Sequence, residues 1–345
     1  MDGYAFSFHE WQKNKELRIV GELAAGSSEN ASLVPGSAVR IFTGAIVPPA
    51  ADTVAMQEKT TIADGVLQID DERLARGLNV RKQGTDIMAG SIALQKDAVL
   101  TAAAIGFLAG VGVAEISVHP NPRVTIIITG NELQVAGQPL SYGQVYDSNS
   151  FTLVSALRQL KIYKTDVMYV KDSEQQTTKA IDTALHKADL ILLTGGVSVG
   201  DYDFVPQSAA ACGVKKLFHK VKQRPGKPLY FGNKETTLVF GLPGNPSSVL
   251  TCFYQYVLPG VEKMTKRKVV LKTVRAPLSQ VFQKEAGLTY FLKGNFDGRA
   301  VTPLDAQESF RLSSFARANC LIQINEEVTT CNEGELVDVH LLPAI

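Results

Sequence analysis

Two loops of the sequence place glycine and acidic residues directly after apolar runs. "TGNEL" (residues 129–133) follows "VTIII" and carries Glu132, and "TGGVSVGDYDF" (residues 194–204) follows "LILL" and carries Asp201 and Asp203. Glycines let the backbone approach a ligand closely, and loops that lead into helices offer free N–H groups to a phosphate or another oxyanion. One carboxylate from each loop suits a hard cation such as Mg2+. The pattern predicts a site for a phosphorylated ligand and a metal, with Asp201 and Asp203 equally plausible as the second acid.

A third loop and a basic run extend this candidate site. In "GLPGNPSS" (residues 241–248) two prolines fix φ on either side of a turning glycine, and Ser247 and Ser248 are expected to cap a helix. "HKVKQRPGKP" (residues 219–228) gathers four cations within eight residues, which predicts a local anion site. The candidate ligand-binding residues of the loops and the basic run are Thr129, Gly130, Gly195, Gly196, Ser198, Gly200, Pro243, Gly244, Pro246, Lys220, Lys222, Arg224 and Lys227.

Composition excludes several classes of function. The chain has 345 residues, 45% of them hydrophobic, and a net charge of +1, which is typical of a globular protein without general affinity for nucleic acid or anionic membranes. We therefore expect a small-molecule partner. The four scattered cysteines form no CxxC pair and fit a reducing cytoplasm better than a zinc site or disulfides. No dinucleotide-binding or P-loop glycine pattern occurs, so NAD and P-loop functions are not expected.

The spacing of apolar residues predicts the strands and helices that position these loops. Residues 122–264 alternate near-continuous apolar runs with helical windows, which predicts a doubly wound parallel α/β domain. Ligands bind such sheets beyond the carboxyl ends of the strands, so the three loops are expected to form one rim. Residues 1–82 and 265–345 have short, turn-bounded segments and are predicted to form an N-terminal and a C-terminal β domain.

A helical linking segment is predicted between the first two domains, at residues 83–121, with Thr101 as the N-cap of a helix. Its uncharged stretch "AVLTAAAIGFLAGVGVA" (residues 98–114) is shorter than the roughly 20 residues that a bilayer requires. The many alanines and glycines predict a tightly packed, buried helix.

The order of motifs resembles a known family. "MDGYA", "RIFTGA", "GTDI", "TGNEL", "YDSN", "GGVSVGDYDF", "RPGKP" and "LPGNP" occur in the order seen in molybdopterin molybdenumtransferases, the MoeA type also found as the E-domain of gephyrin. The resemblance spans essentially the whole chain. It implies a multidomain α/β fold whose central doubly wound parallel domain (MogA/MoaB-like) is flanked by an N-terminal mostly β region and a C-terminal small β-barrel-like domain.

The resemblance also implies a reaction. Molybdate is inserted into adenylylated molybdopterin, with Mg2+ as cofactor and AMP as a product. The expected protein is a cytoplasmic homodimer that contacts the adenylyltransferase of the same pathway transiently and binds neither nucleic acid nor membrane.

Functional residues follow from the resemblance position by position. Glu132 and Asp203 are the expected metal ligands, and Asp2 and Thr43 are expected to reach in from the partner subunit. The residues implied in catalysis are Asp2, Thr43, Asp86, Glu132, Asp172 and Asp203, and those implied in substrate binding include Lys220, Arg224, Lys227, Pro243, Pro246, Lys293 and Ser309.

This sequence departs from the family pattern at four of these positions or their neighbours. Asn131 stands where an acid commonly precedes the glutamate, Asp201 replaces a usual glutamate, and Arg224 and Lys293 exchange the commoner basic types. Charge is kept at both basic positions, although arginine and lysine are not equivalent in bidentate contacts.

The front of the chain leaves alternatives open. Family members carry a helical segment ahead of "MDGYA", so residues 83–121 are expected to belong to an elongated domain whose N-terminal portion is absent here, through a late-assigned start or a truncation. The sequence leaves two alternatives to the insertase. One is a non-catalytic molybdopterin-binding or scaffolding protein, and the other is the molybdopterin adenylyltransferase, which shares the α/β domain but lacks the flanking β regions.

Overall fold

The computed structural model describes residues 1–27, 32–197, 204–267 and 271–343. Contacts along the chain divide it into two units, Met1–Ala98 and Val99–Ile345.

Strands dominate the first unit, as its turn-bounded segments predict. Its elements in chain order are β1 (Gly3–Phe6), α1 (Phe8–Asn14), β2 (Glu16–Leu23), β3 (Ser37–Ile41), β4 (Thr53–Met56), a 3-10 turn (Gln57–Lys59), β5 (Thr60–Ala63) and β6 (Val66–Ile69). The strands form one sheet in the order β4-β1-β3-β2-β6-β5, antiparallel except for the β2–β3 pair. Alternate residues of β1 enter opposite faces: Tyr4 and Phe6 join one buried cluster and Ala5 another.

Helix α2 (Ala102–Gly110) lies near the start of the second unit and begins where the sequence predicts. The Thr101 hydroxyl accepts a hydrogen bond from the Ala104 N–H at 3.2 Å, which is N-cap geometry. The predicted burial of this helix is wrong, because only Leu108 of α2 is buried and the Ile105 side chain is 56% exposed. Small apolar residues permit close packing, but in this structure few residues cover the helix. Within the described ranges, no helix is both long enough and apolar enough to cross a membrane.

The central part of the second unit alternates strands and helices. Its elements are β7 (Val124–Thr129), β8 (Leu133–Gln134), β9 (Val145–Tyr146), α3 (Asn149–Gln159), β10 (Thr165–Val170), α4 (Glu174–Leu185), β11 (Leu190–Thr194), α5 (Val205–Ala211), β12 (Lys215–His219), β13 (Gln223–Arg224), β14 (Tyr230–Lys234), β15 (Thr237–Leu242), α6 (Pro246–Cys252), a π-helical turn (Phe253–Val257) and α7 (Leu258–Thr265).

Six of these strands form a sheet in the order β10-β7-β11-β15-β14-β12. The first four are parallel. One face packs against α3 and α6, whose Leu153 and Val249 lie in the larger buried cluster, and the other packs against α4 and α5 through Ile181 and Ala209. Helices on both faces confirm the predicted doubly wound α/β domain.

Two strands at the edge of this sheet were not predicted. β14 and β12 are antiparallel to their neighbours, and β14 joins β15 through a turn in which Lys234 pairs with Thr237. Glu235 in that turn has φ of +52°, a conformation usually taken by glycine or asparagine. Neither Glu235 nor Thr236 in the turn is one of those residues, so no local signal predicts a hairpin here.

The C-terminal part is built of short strands, as predicted. Its elements are β16 (Thr273–Pro277), β17 (Phe282–Gln283), β18 (Thr289–Phe296), β19 (Val301–Pro303), α8 (Leu312–Phe315), β20 (Cys320–Ile324), β21 (Thr330–Cys331) and β22 (Leu336–Leu341). The main sheet has the order β13-β18-β20-β22-β16, with β19 also paired to β18, and β17 and β21 form a separate pair. Barrel-like closure of these strands stays a prediction.

Candidate functional site

The three glycine-rich loops meet at one edge of the central sheet. They follow β7, β11 and β15, which are parallel neighbours, so their carboxyl ends lie side by side. The Thr129 hydroxyl donates to the Thr194 carbonyl at 3.1 Å, and the Gly195 N–H donates to the Leu242 carbonyl at 3.2 Å. Each loop is thus hydrogen-bonded to the next, and the expected rim exists among the described residues.

Gly195 lies where two of these loops touch. Its φ is +85°, and a Cβ built on it would lie 2.9 Å from the Thr129 carbonyl oxygen and 2.6 Å from the Thr129 hydroxyl. Only glycine fits this position without moving a backbone. Gly196 follows with φ of +63°, and its carbonyl accepts a hydrogen bond from the Val205 N–H at 3.0 Å. Ser198, Gly200, Asp201 and Asp203 lie outside the described residues.

The loops after β7 and β10 are joined by a reciprocal pair of hydrogen bonds. The Asn131 N–H donates to the Asp172 carboxylate at 3.3 Å, and the Asp172 N–H donates to the Asn131 side-chain oxygen at 3.2 Å. The replaced acid at position 131 therefore gives a pair with one negative charge instead of two. Asp172 is brought to the same strand ends as Glu132.

Glu132 is exposed at the end of β7. A Cβ built on Gly130 would lie 2.9 Å from Glu132 Oε2, so the carboxylate bends back over the strand end. Within the described ranges, no three His, Cys, Asp or Glu side chains converge as a metal site. Mg2+ usually takes one or two carboxylates and completes its coordination with phosphate oxygens and water. The exposed Glu132 carboxylate is a hard oxygen donor that fits this mode of binding.

The third loop receives a residue from the C-terminal part. The Asn245 side-chain amide donates to the Ser309 hydroxyl oxygen at 2.8 Å, and the Ser247 N–H donates to the Ser309 carbonyl at 3.0 Å. On the other side of the loop, the Asn149 amide donates to the Gly244 carbonyl at 2.8 Å. The predicted residues Gly244, Pro246 and Ser309 are thereby brought together, next to the buried Pro243.

The start of α6 differs from the prediction. Pro246 is the first helical residue and Asn245 is the N-cap, so Ser247 and Ser248 do not cap the helix but are buried within it. Proline is favoured at the first helical position because its fixed φ suits the helix and its missing N–H would have no helical partner.

The basic run forms a hairpin with two exposed cations, Lys220 and Lys227. The Lys220 N–H donates to the Leu229 carbonyl at 2.8 Å, and the Val221 N–H donates to the Lys227 carbonyl at 2.9 Å. These bonds bring Lys220 and Lys227 to opposite arms of one turn. Both side chains are exposed, and neither makes a hydrogen bond or ion pair with another described residue. The two ammonium groups are available to an anion.

The other two cations of the run contact the C-terminal part. One guanidinium nitrogen of Arg224 donates to the Tyr290 hydroxyl at 3.2 Å, and the guanidinium carbon lies 5.4 Å from the ring centroid. Lys222 forms an ion pair with Glu326 at 2.7 Å. Lys222 therefore joins two parts of the unit, and Arg224 is oriented by an aromatic ring from β18.

A buried amide supports the hairpin from below. Gln223 is 2% exposed; its Nε2 donates to the Pro225 carbonyl at 3.0 Å, and its Oε1 accepts a hydrogen bond from the Tyr256 hydroxyl. Nε2 also lies 3.6 Å from the sulfur of Cys252. Burial raises the pKa of Cys252 and of Tyr256 to about 12, so both stay protonated at neutral pH. Sequence reasoning missed Gln223, because a glutamine within a basic run carries no sign of burial.

Lys293 lies behind the rim and not in it. It is 2% exposed, and its ammonium donates to the carbonyls of Ala306 at 2.7 Å, Arg311 at 3.1 Å and Glu308 at 3.3 Å. Burial lowers the pKa of Lys293 to about 8, with Glu308 acting in the opposite direction. A direct contact between this ammonium and a substrate is not expected from this geometry.

The predicted N-terminal residues lie in the first unit. The Asp2 carboxylate accepts hydrogen bonds from the Thr43 N–H at 2.9 Å and from the Thr43 hydroxyl at 3.1 Å. These bonds, the backbone one first, lower the pKa of Asp2. Asp86 is exposed in a turn and makes no hydrogen bond or ion pair with another described residue. Asp2 and Thr43 thus form one exposed pair, which Asp86 does not join by hydrogen bonding.

Comparison with known proteins adds the family. Residues 1–112 match the model of the "MoeA N-terminal region (domain I and II)", residues 125–263 that of a "Probable molybdopterin binding domain", and residues 275–342 that of the "MoeA C-terminal region (domain IV)". The molybdopterin molybdenumtransferase of Haemophilus influenzae is 35% identical to this chain, over 99% of the chain and 87% of the relative. That of Staphylococcus aureus strain Mu50 is 31% identical, over 96% and 80%.

A solved structure agrees with these matches. The crystal structure of a molybdopterin biosynthesis MoeA protein from Pyrococcus horikoshii aligns with a TM-score of 0.81 at 28% identity, covering 99% of this chain and 86% of that one. The matches include both β regions that flank the α/β domain, which favours the transferase over the adenylyltransferase. The curated relatives over most of the chain are transferases. The chain therefore belongs to the molybdopterin molybdenumtransferases, the MoeA family of transferases that act in molybdenum cofactor biosynthesis.

Proposed function

We propose that the protein inserts molybdate into adenylylated molybdopterin in a Mg2+-dependent reaction that releases AMP. The observation that carries the proposal is the convergence of three glycine-rich loops at the carboxyl ends of β7, β11 and β15, held by the bonds of Thr129 and Gly195. Open α/β sheets bind their ligands at this edge. Membership of the family supplies the class of substrate.

Different groups of the described residues have different proposed roles in binding the ligand. Backbone N–H groups of the loops and the ammonium groups of Lys220 and Lys227 would bind the phosphates and the molybdate oxyanion. Arg224, oriented by Tyr290, would add a planar donor. The Asn245–Ser309 contact would position the polar groups of the third loop against the ligand.

Glu132 and Asp203 are the proposed metal-binding residues. When bound, Mg2+ would neutralise charge on the phosphate oxygens and favour departure of AMP. Glu132 would contribute one oxygen from the end of β7. Asp172 would add negative charge near the metal. Its hydrogen bonds with Asn131 already hold it at the strand ends.

A homodimer is part of the proposal. The exposed pair of Asp2 and Thr43, with Asp86, would complete the site of the partner subunit. Helix α2 supports self-association, since its apolar side chains such as Ile105 are largely exposed. We further propose transient contact with the adenylyltransferase that supplies the substrate.

The cytoplasm is the proposed compartment. All four cysteines are free and buried, which suits a reducing environment. With a net charge of +1, the chain has no overall attraction for nucleic acid or for an anionic membrane.

The sharpest test of the metal assignment is Glu132→Gln. The substitution keeps the shape and removes the charge, so AMP release from adenylylated molybdopterin should fall about 100-fold or more, as expected when a group that stabilises developing charge is lost. The melting temperature should not change, because Glu132 is exposed. AMP release measured against Mg2+ concentration, with and without molybdate, checks the first expectation, and thermal unfolding checks the second.

The matched control is Glu333→Gln, which neutralises an exposed glutamate in a C-terminal turn. It should release AMP at the unaltered rate. Unchanged AMP release by Glu132→Gln at limiting Mg2+ would refute the metal-binding role, and absence of AMP release by the unaltered protein would refute the proposed reaction.

A further inference from the structure

The segment 304–311 is folded around the ammonium of Lys293. The group has three N–H donors, and each has a carbonyl acceptor within this segment, on Ala306, Glu308 and Arg311. Because Lys293 is 2% exposed, water does not compete for these bonds. The ammonium therefore has no donor left for an oxyanion.

Neighbouring bonds fix the same segment. The Lys293 N–H donates to the Gln307 side-chain oxygen at 2.9 Å, and the Gln307 amide donates to the carbonyls of Lys293 at 2.8 Å and Leu304 at 2.7 Å. The Ser314 hydroxyl donates to the Ala306 carbonyl at 2.8 Å. Ala306 itself has φ of +58°, which a residue with a side chain adopts only when its surroundings require it. The Lys293 ammonium and the Ser314 hydroxyl both bind the carbonyl of this residue.

The segment ends at the candidate site. Ser309 lies between Glu308 and Arg311, which form an ion pair at 3.3 Å, and both its hydroxyl and its carbonyl are bonded to the start of α6, at Asn245 and Ser247. Lys293 holds one side of the segment and the third glycine-rich loop holds the other. Ser309 is thus the residue of this segment that is hydrogen-bonded to the third loop and to the start of α6.

We propose that Lys293 is a positioning residue that acts on the anion site through Ser309 and does not contact the substrate. The kinetic part of this inference rests on the proposed function, with molybdate as the oxyanion whose binding depends on Ser309. The structural part, that Lys293 fixes the segment 304–311, stands on the contacts alone.

The test is a double-mutant cycle of Lys293→Met and Ser309→Ala. Methionine retains a similar apolar length and removes all three donors. Each single variant should raise the KM for molybdate about 10-fold, the equivalent of one lost hydrogen bond of roughly 1.4 kcal/mol. If Lys293 acts through Ser309, the double variant should equal the single variants, whereas independent contacts with the substrate would multiply to about 100-fold and overturn the proposal.

A second readout does not depend on activity. Amide hydrogen exchange in residues 304–311 should speed up in Lys293→Met and stay slow in Ser309→Ala. Unchanged exchange in Lys293→Met would overturn the positioning role even if catalysis is altered. Because exchange is measured without substrate, an absence of AMP release in the unaltered protein would count against the proposed function and leave this readout intact.

Two further variants serve as a control and as a replacement for Lys293→Met. Lys187→Met removes an ammonium that pairs with Asp166 on the surface, and it should change neither the KM nor exchange in residues 304–311. If Lys293→Met does not fold, Lys293→Ala with added methylammonium replaces it. The small cation should restore slow exchange in the segment and a low KM for molybdate when Ser309 is present, and failure to restore either would contradict the inference.

Discussion

Gly195 shows how closely single residues limit the site. Its backbone fills the space between the loops after β7 and β11, and a Cβ there would meet both the hydroxyl and the carbonyl of Thr129. The sequence predicted glycine for close backbone approach, and the structure shows that at this position the approaching group is another loop of the protein. The glycine brings the loops together before any ligand is bound.

Gly195→Ala tests this contact. A left-handed φ costs a residue with a side chain about 1–2 kcal/mol, and the clash with Thr129 should add roughly 1–3 kcal/mol more. The control is Gly137→Ala, because Gly137 has a similar φ of +90° and a Cβ on it would meet nothing within 4 Å. Urea unfolding should show the larger loss for Gly195→Ala, and that variant alone should lose AMP release. Equal losses of stability would mean that the loops can separate freely.

At the scale of elements, the basic hairpin depends on the π-helical turn behind it. Gln223 joins the two, because its Nε2 donates a hydrogen bond to the Pro225 carbonyl and its Oε1 accepts one from the Tyr256 hydroxyl. π-Helical turns are rare and often lie at functional sites. Here the turn places Tyr256 under the hairpin that carries Lys220 and Lys227.

Gln223→Leu should weaken both stability and anion binding. The apolar side chain leaves the half-buried Pro225 carbonyl and Tyr256 hydroxyl without their partner, which should lower the free energy of unfolding by about 1–3 kcal/mol. Tyr256→Phe removes one hydroxyl only and should cost about 1 kcal/mol. The KM for molybdate should rise in Gln223→Leu and not in Gln138→Leu, a control at an exposed glutamine. An unchanged KM for molybdate in Gln223→Leu would show that the buried amide does not support anion binding.

The sequence predicts those strands and loops whose signals lie within a few neighbouring residues. The apolar runs of β7, β11 and β15 and the glycines after them identify buried strands and loops, since periodicity and turn chemistry act over a few residues. The burial of Gln223 and Lys293 depends on partners distant in the chain. The exposure of α2 was missed for the same reason, because covering a helix requires another element.

At the scale of the whole molecule, the proposed homodimer assigns residues of both units to the reaction. Asp2 and Thr43 belong to the first unit and Glu132 belongs to the second. The proposal assigns the first pair to the site of the partner subunit. A dimer would then contain two sites, each made from two chains.

Mixing two inactive variants tests this assignment. Asp2→Asn and Glu132→Gln should each be inactive alone. After equal mixing and subunit exchange, half of the dimers are mixed and each mixed dimer has one intact site, so AMP release should return to about a quarter of the unaltered rate. No recovery, with exchange verified by mass spectrometry of the intact dimers, would place Asp2 outside the partner's site.

The pairing of β13 with β18 has a consequence for the order in which the protein matures. Arg224 lies opposite Tyr290 in this parallel pair, and the Thr289 N–H donates to the Lys222 carbonyl at 2.9 Å. The edge strand of the C-terminal sheet is therefore made some 65 residues before the strand it joins. A nascent chain can fold the central sheet while the basic hairpin still lacks its partner. The contact between Arg224 and Tyr290, which orients one cation of the proposed anion site, can therefore form only after β18 has left the ribosome.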